Sequence, residues 1–265
     1  MSLLTNRIKN NIIKLNIIKG KGFMYRYFLA RKLHKNSYIY RPVMDSTYLY
    51  AKKHFADLND RFTIISKRQT HGVGRTGKSF ISNSGNGVYF TVIIKNAKEL
   101  KHITCAAAVC AVRVIKKLYG KDTKIKWVND IMLGDKKVCG ILAGLPGESD
   151  TVILGVGVNI APPKGGFAPE ISDVAAAVKN TVSSKEKAEF IAEYLLEFDR
   201  IFSGEFMSEY IALSYNVGKN VTFTQNGKTV NGRCTAVNRD GSIRIADGDN
   251  VYDLSFGEVS VAIVK

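Results

Sequence analysis

The chain has 265 residues, of which 45% are hydrophobic and 23% charged, a composition typical of a globular protein and not of a disordered or collagenous one. Its apolar runs are all shorter than the roughly 18 residues that span a bilayer, so we do not predict a membrane protein. The cysteines (Cys105, Cys110, Cys139 and Cys234) lack the spacing of a metal site, and we predict buried thiols in a cytoplasmic protein without a structural metal.

The net charge of +16 is unevenly distributed along the chain. Residues 1–40 contain nine Lys and Arg and no Asp or Glu. Such a segment either binds an anionic partner such as nucleic acid or is a solvated extension, with Met24 as an alternative start. Because it is too short for a winged-helix DNA reader, we predict a basic N-terminal extension and do not predict DNA binding from charge alone.

The first predicted element is a helix. Asp45-Ser46-Thr47 suits a helix N-cap, and the helix is expected to end near residue 56. A strand over 61–67 leads into a Gly-rich basic loop over 69–87, and a second strand covers 88–94. A long helix is predicted over 97–119. Its inward face consists of Ala106, Ala107, Cys110, Val114 and Leu118.

Short strands follow at 124–127, 131–133, 138–143 and 151–158, and the last is a nearly continuous apolar run typical of a central strand. Residues 171–214 are predicted to be helical. The apolar face of this part is formed by Phe190, Tyr194, Leu195, Phe198 and Phe202.

The pattern changes at about Val217 to short alternating strands. Asn226-Gly227, Asp240-Gly241 and Asp247-Gly248 are hairpin signals between them. The sequence therefore predicts an α+β protein with a basic extension over 1–40, a mixed-sheet main domain over 41–216 and a small C-terminal β-barrel resembling an SH3 domain over 217–265.

The Gly-rich loop matches two phosphate-binding motifs. Residues 72–77 fit GxGxxG, and residues 72–79 fit the Walker A pattern GxxxxGK[ST]. Both motifs require a helix at the exit of the loop, whereas residues 80–87 (FISNSGNG) are too rich in Asn and Gly to hold one. We therefore predict neither fold. The glycines together with Arg75 and Lys78 still suit a phosphate group.

Four segments resemble the biotin–protein ligase family, in the order found in that family. They are Asp45-Ser46-Thr47, the loop 69–80 (QTHGVGRTGKSF), the pair 126–133 and 137–142 (KWVNDIML and KVCGIL), and residues 155–159 (GVGVN). The family patterns are Q-x-x-G-R-G-R-x-G-R-x-W for the loop, KWPND followed by K-x-x-GIL for the pair, and G-x-G-x-N for the last. The pair is the most specific, and the resemblance extends over residues 40–265.

The resemblance implies the mixed-sheet catalytic fold of biotin and lipoate ligases with an SH3-like C-terminal barrel and without a winged helix. It implies a ligase that uses ATP and Mg²⁺ to form biotinyl-5′-AMP and then transfers biotin to a lysine of a biotin carboxyl carrier protein. A homodimer is expected. Such chemistry needs fixed cations and no covalent nucleophile.

The resemblance also implies roles for individual residues. Those expected to bind biotin are Ser46, Thr47, Gln69, Gly72, Val73, Arg75, Lys137, Gly140 and Ile141. Those expected to bind ATP are Arg75, Thr76, Lys78, Phe80, Asn129, Lys137 and Asn159, with Mg²⁺ near the last. Arg75 and Lys137 would lie between the biotin carboxylate and the α-phosphate. Asp130 is either the base for the acceptor lysine or an ordinary hairpin-capping aspartate.

Four residues depart from the family pattern: Tyr48 replaces Asn, Val73 replaces Arg, Phe80 replaces Trp, and Val128 replaces Pro in a segment that we expect to be a strand. Since Arg75, Asp130 and Lys137 are unaffected, we expect activity.

Two alternative functions remain. A lipoate–protein ligase would share the fold, but the R-R-x-S-G-G-G loop of that family is missing from this sequence. The other alternative is a nucleic-acid-binding regulator that uses the basic extension. His71 is expected to be solvated and not catalytic.

Overall fold

The computed structural model describes residues 29, 33, 38–97, 100–225, 227–255 and 261–264. A seven-stranded sheet has the strand order β1-β2-β3-β7-β6-β5-β4. Its strands are β1 (Tyr38–Met44), β2 (Thr63–Gln69), β3 (Val88–Ile94), β4 (Lys124–Lys126), β5 (Asp130–Leu133), β6 (Lys136–Gly144) and β7 (Val152–Val158). β1 and β2 are parallel and the other neighbours are antiparallel, so the sheet is mixed.

Helices cover both faces of this sheet. The α-helices of the described residues are α1 (Thr47–His54), α2 (Leu100–Tyr119), α3 (Ser184–Arg200) and α4 (Met207–Ala212). On one face α1 packs through a small cluster of Ala51, Ile64, Ile93 and Ile153. On the other face α2 and α3 join the main core, to which β3 contributes Phe90. The main core thus lies between the sheet and the two long helices.

Local sequence signals account for the starts of two helices. The Ser46 side chain accepts a hydrogen bond of 3.3 Å from the N–H of Leu49, which caps α1. α3 begins with a capping box, in which Ser183 and Glu186 each accept a backbone N–H of the other. Both caps satisfy N–H groups that the first turn of a helix leaves without a partner.

Most of the predicted elements are confirmed, and the strand Val88–Ile94 agrees residue for residue. All four cysteines are buried and free, as predicted. β1 was not predicted. Within the stretch predicted as a basic extension, Leu29 and Leu33 are buried in the main core. The other residues before Tyr38 lie outside the described residues.

The predicted helix over 171–214 is wrong for residues 171–183, which contain turns and irregular backbone. The reason is that this segment pairs with the sheet instead of with itself. The N–H of Lys137 donates to the carbonyl of Val174 at 2.7 Å, and the N–H of Ala176 donates back to Lys137 at 2.9 Å. Phe202, also predicted to face inward, is 46% exposed because α3 ends at Arg200.

A second sheet follows α4. It contains β8 (Asn220–Gln225), β9 (Lys228–Val237), β10 (Ile243–Asp247), β11 (Asn250–Leu254) and β12 (Ala262–Ile263) in the order β11-β10-β9-β8-β12. All its pairs are antiparallel. Within the described residues no ladder joins β11 to β12, so the expected closed barrel is seen only as an antiparallel sheet.

Trp127 connects the two sheets. Its indole Nε1–H donates to the carbonyl of Gly241 at 2.9 Å, and its backbone N–H donates to the Asn216 side chain at 2.7 Å. The side chain is buried, and the apolar residues of the second sheet belong to the same hydrophobic cluster as α2. The second sheet is therefore packed against the main sheet through a hydrogen-bonded aromatic residue.

We expect Trp127→Phe to lower the free energy of unfolding by about 1–3 kcal/mol, because the buried carbonyl of Gly241 loses its donor. Urea unfolding followed by far-UV circular dichroism measures this. Val251→Ala is the control, since Val251 lies in the second sheet and is 62% exposed. Equal midpoints for wild type and Trp127→Phe would contradict the stabilising role of this bond.

Candidate active site

A cavity of about 320 Å³ lies on the face of the main sheet that α1 also covers. Three glycines of β6 and β7 that line it, Gly140, Gly155 and Gly157, are called the glycine floor below. Gly140 pairs with Gly157, and Gly155 pairs with Leu142 and with Thr91 of β3. Directly paired residues of antiparallel strands share a face, so these three positions leave part of the sheet without side chains under the cavity, next to Leu142 and Thr91.

One end of the cavity is lined by neutral hydrogen-bonding groups. The backbone N–H and the hydroxyl of Thr47 both donate to Gln69 Oε1, at 2.8 and 3.0 Å. Gln69 Nε2 donates to Ser82 at 3.0 Å, and the Thr91 hydroxyl donates to Thr47 at 2.9 Å. These side chains are buried, and their mutual bonds fix the orientation of the Gln69 amide. We call this the neutral end.

The opposite end is charged. β5 places Asp130 beside Gly140, and β4 places Lys126 beside Asp130, so the three form one row across the sheet. Lys137 Nζ lies 2.6 Å from Asp130 Oδ1. Arg75 Nη1 donates to Asn129 Oδ1 at 3.2 Å, and Asn129 Nδ2 donates to the carbonyl of Ile141. The charged end is therefore assembled by the β4–β5 hairpin, β6 and the Gly-rich loop.

Positive charge exceeds negative charge at this end. Among the described residues that line the cavity, the cations are Arg75, Lys78, Lys126 and Lys137, and the one carboxylate is Asp130. Burial lowers the pKa of Lys126, and the carboxylate of Asp130 acts in the opposite direction. Burial also lowers the pKa of Arg75. With a single carboxylate paired to Lys137, the arrangement suits a ligand that carries several negative charges.

The Gly-rich loop forms a narrow hairpin over this end. The N–H of Gly74 donates to Lys78 at 2.7 Å and the N–H of Phe80 donates to Gly72 at 2.8 Å, around a short 3₁₀ turn over Arg75–Gly77. Since β3 is the next regular element after this turn, no α-helix leaves the loop in the described residues. This confirms that the loop is neither a dinucleotide-binding nor a Walker A motif.

Phe80 lies on the glycine floor. A Cβ on Gly157 would lie 2.7 Å from the ring, and one on Gly140 would lie 3.1 Å from it. The Lys137 ammonium is 5.8 Å from the ring centroid, within the range of a cation–π contact. The absence of side chains on the floor is what lets this aromatic ring lie flat beside the charged end.

The structure brings most of the predicted site residues together. Those that line the cavity are Ser46, Thr47, Gln69, Val73, Arg75, Thr76, Lys78, Phe80, Asn129, Asp130, Lys137, Gly140 and Ile141. Gly72 and Asn159 do not line it. The carbonyl of Gly72 accepts the N–H of Phe80, and the backbone of Asn159 bonds to Val138 and Val178.

Sequence reasoning missed other residues of the cavity. Lys126, Thr91, Val261 and Ala262 line it, and so does Tyr48, which had been noted only as a departure. Lys126 could have been found, since it is the first residue of the segment 126–133 that carries the family resemblance. Thr91 had a weaker signal, as a polar residue within the apolar run of β3. Val261 and Ala262 come from the second sheet, and nothing local marks them.

Val128 corrects another expectation. It lies in the turn between β4 and β5, not in a strand, because the pairing of Lys126 with Asp130 leaves three residues to close the hairpin. The Trp127–Val128 peptide bond is cis. The side chain of His71 is 77% exposed, as expected for a solvated histidine.

Comparisons with known proteins agree with this architecture. Residues 40–159 match the Biotin/lipoate A/B protein ligase family. The bifunctional ligase/repressor BirA of Bacillus subtilis is 25% identical over 253 residues, which cover 89% of this chain and 77% of that protein. The biotin–[acetyl-CoA-carboxylase] ligase of Mycobacterium tuberculosis is 24% identical over 76% of this chain and 79% of its own length. A BirA of Bacillus spizizenii is 31% identical, but the match spans only 56% of that protein.

The fold matches a solved structure as well. The biotin protein ligase of Aquifex aeolicus, in complex with biotin and ATP, superposes with a TM-score of 0.75 at 20% identity, over 86% of this chain and 99% of that one. Residues 40–159 thus match the Biotin/lipoate A/B protein ligase family, the chain is similar over most of its length to biotin protein ligases, and it is an enzyme of the ligase class. None of the helices in the described part of the chain is long and apolar enough to cross a membrane.

Proposed function

We propose that the chain is an ATP-dependent biotin–protein ligase that forms biotinyl-5′-AMP and transfers biotin to a lysine of a biotin carboxyl carrier protein. The observation that carries this proposal is one cavity with a neutral hydrogen-bonding end, a glycine floor on which the Phe80 ring lies, and an end with excess positive charge. The names of the relatives support it, and so does the biotin and ATP complex of a protein with the same fold.

The neutral end would hold the ring system of biotin. Ser46, Thr47 and Gln69 offer hydroxyl and amide groups whose orientation is already fixed, which is what a neutral polar ring requires. Backbone groups of Gly72 and Val73 would approach from the loop. The aliphatic tail would then lie along Gly140 and Ile141, so that its carboxylate reaches Arg75 and Lys137 at the charged end.

The first half-reaction brings two anions together. An oxygen of the biotin carboxylate attacks the α-phosphorus of ATP, the bond to the bridging oxygen breaks, and pyrophosphate leaves. Arg75 bonds to Asn129 and Lys137 pairs with the adjacent Asp130, and the two cations would reduce the repulsion between the reacting groups. Lys78 and Lys126 would contact the β- and γ-phosphates, with Thr76, Phe80, Asn129 and Asn159 around the rest of the nucleotide.

Mg²⁺ is part of this proposal. Magnesium in ATP sites is held by one or two carboxylates together with the phosphates, and Asp130, the single carboxylate that the described residues give to the cavity lining, meets this minimum. The ion would supply further positive charge to the phosphates when bound. Asn159, near which the ion is expected, follows β7 next to Val138 of β6 and does not line the cavity, so Asp130 is the proposed protein ligand.

The second half-reaction needs a neutral amine. The acceptor lysine of the carrier has an ordinary pKa of about 10.4 and must lose a proton before it attacks the adenylate carbonyl. Asp130 is the carboxylate placed to accept that proton or to orient the amine. Its ion pair with Lys137 would loosen when Lys137 contacts the α-phosphate. The amide bond then forms as the bond to AMP breaks.

Three further parts of the proposal concern the whole chain. The C-terminal sheet over 217–265 would be an SH3-like domain packed on the catalytic domain over 41–216. The protein would act in the cytoplasm, and as a homodimer. The basic stretch over 1–40 would be an extension of the catalytic domain.

The direct test is ATP–pyrophosphate exchange with biotin, with lipoate, or with neither. Exchange that depends on biotin is expected, followed by labelling of a purified biotin carboxyl carrier domain. Exchange with lipoate alone would assign the chain to lipoate activation. No exchange in any reaction would contradict adenylate formation altogether.

A substitution on the glycine floor tests the position of biotin. Gly157→Ala places a methyl group 2.7 Å from the Phe80 ring, which must then move into the cavity. We expect the KM for biotin to rise by about tenfold or more, as when a pocket loses the space of one methyl group. Gly204→Ala is the control, since a Cβ at Gly204 would meet nothing within 4 Å. An unchanged KM for biotin in Gly157→Ala would contradict the proposal that biotin binds along the glycine floor.

A further inference from the structure

Tyr48 lies at the neutral end of the cavity, on the second residue of α1. Its ring crosses the sheet beside β6 and β7: a Cβ on Gly155 would lie 3.3 Å from Tyr48 Cδ2, and a Cβ on Gly144 would overlap the tyrosine hydroxyl. The lack of a side chain at Gly144 is what leaves room for the tyrosine hydroxyl. The ring fills the space above it.

The ring is held in this place by apolar packing. Tyr48 packs against the cluster of Ala51, Ile64, Ile93 and Ile153, which joins α1 to the sheet. Burial raises the pKa of the phenol, so the hydroxyl stays neutral. The ring therefore acts on a ligand through its shape, as a wall of the cavity, and not through charge.

The wall limits the length of the cavity. The charged end lies at Gly140. The tyrosine ring lies over Gly155, which pairs with Leu142, and its hydroxyl reaches Gly144; these positions are about 7 and about 13 Å of strand beyond Gly140. The carboxylate of an acyl substrate is fixed at the charged end by Arg75 and Lys137. The distance to Tyr48 therefore sets how far the other end of the substrate can extend.

We propose that Tyr48 is a specificity-determining residue, whose ring closes the neutral end of the cavity and excludes acyl substrates with a substituent on the ring system bound there. The inference rests on the proposed function, since it takes biotin as the substrate of this cavity. It concerns a side chain in which this sequence differs from the Asn of the family pattern.

The test compares biotin with a set of derivatives that each carry one alkyl group at a different position of the bicyclic ring. Tyr48→Ala opens the wall fully. Tyr48→Leu keeps apolar contact with the cluster around Ala51 and removes the aromatic ring, so it serves if the alanine variant does not fold. Tyr48→Phe keeps the ring and removes only the hydroxyl. Leu49→Ala, 45% exposed on the same helix, is the matched control.

The measured quantity is kcat/KM for ATP–pyrophosphate exchange with each derivative, divided by kcat/KM with biotin. For at least one derivative this ratio is expected to rise about tenfold or more in Tyr48→Leu and to stay near the wild-type value in Tyr48→Phe and Leu49→Ala. Unchanged ratios in the alanine and leucine variants, with a biotin-active wild type, overturn the inference alone. An equal rise in Tyr48→Phe also overturns it. A wild type without biotin-dependent exchange overturns the proposed function and this inference together.

Discussion

Lys137→Ala is expected to lower biotin-dependent ATP–pyrophosphate exchange by about 10²–10³-fold, the usual loss when one fixed group that stabilises developing charge is removed. The ammonium lies 2.6 Å from Asp130 and faces the cavity. Its side chain is 34% exposed, so it contributes little to the core, and the midpoint of thermal unfolding should change by only a few degrees.

Lys136→Ala is the matched control for this change. Lys136 precedes Lys137 on β6, is exposed, and donates to the carbonyl of Ser172 at 2.8 Å instead of facing the cavity. It should keep wild-type exchange. Parallel losses of stability and exchange in Lys137→Ala would show a structural role and contradict the assignment to the reacting carboxylate and phosphate.

Asp130→Asn is expected to affect the second half-reaction most. Transfer of biotin from preformed biotinyl-5′-AMP to the carrier lysine should fall by about 10²–10⁴-fold, the range for loss of a general base. Hydroxylamine, a nucleophile that needs no base at neutral pH, should react with the bound adenylate of the variant at nearly the wild-type rate. Single-turnover transfer with each nucleophile measures the two rates separately.

Asp122→Asn provides the comparison, because Asp122 is 88% exposed and pairs with Lys116 on the surface. It should leave both rates unchanged. If Asp130→Asn slowed the reaction of hydroxylamine as much as that of the carrier lysine, Asp130 would be acting by holding Lys137 in place and not by accepting the proton of the acceptor.

Elements with a continuous helical pattern or a bounded apolar run could be predicted from the sequence. α2 has a continuous helical pattern over residues whose inward face is buried, and β3 is an apolar run with clear ends. Residues 171–183 could not be predicted in this way, because their backbone groups bond to Lys137, Asn159 and Ile160, which are distant in sequence. β1 was missed since Arg41 and Pro42 interrupt its pattern and, among the strands of the described residues, it pairs with β2 alone.

The residues of the candidate site also fall into those that local sequence could predict and those that it could not. Arg75, Asp130 and Lys137 stand in motifs that the sequence displays, and the structure brings them to one end of one cavity. Lys126 joins them through strand pairing with Asp130. The hydrogen bond from Thr91 to Thr47 and the position of Tyr48 over Gly144 depend on how α1 crosses the sheet. Periodicity and spacing carry no information about that crossing.

The contribution of β12 to the cavity has a consequence for synthesis of the protein. Apart from Val261 and Ala262, the described residues that line the cavity lie between positions 46 and 157. A chain growing on the ribosome can complete the main sheet and the two long helices that cover it while the second sheet is still to be added, because folding proceeds from the N-terminal side. The ligand would then meet a cavity that lacks one wall, and the stabilisation that binding gives to a folded protein would be incomplete until β12 has paired with β8. Substrate binding would thus stabilise the protein only at the end of folding, after β12 has joined the second sheet.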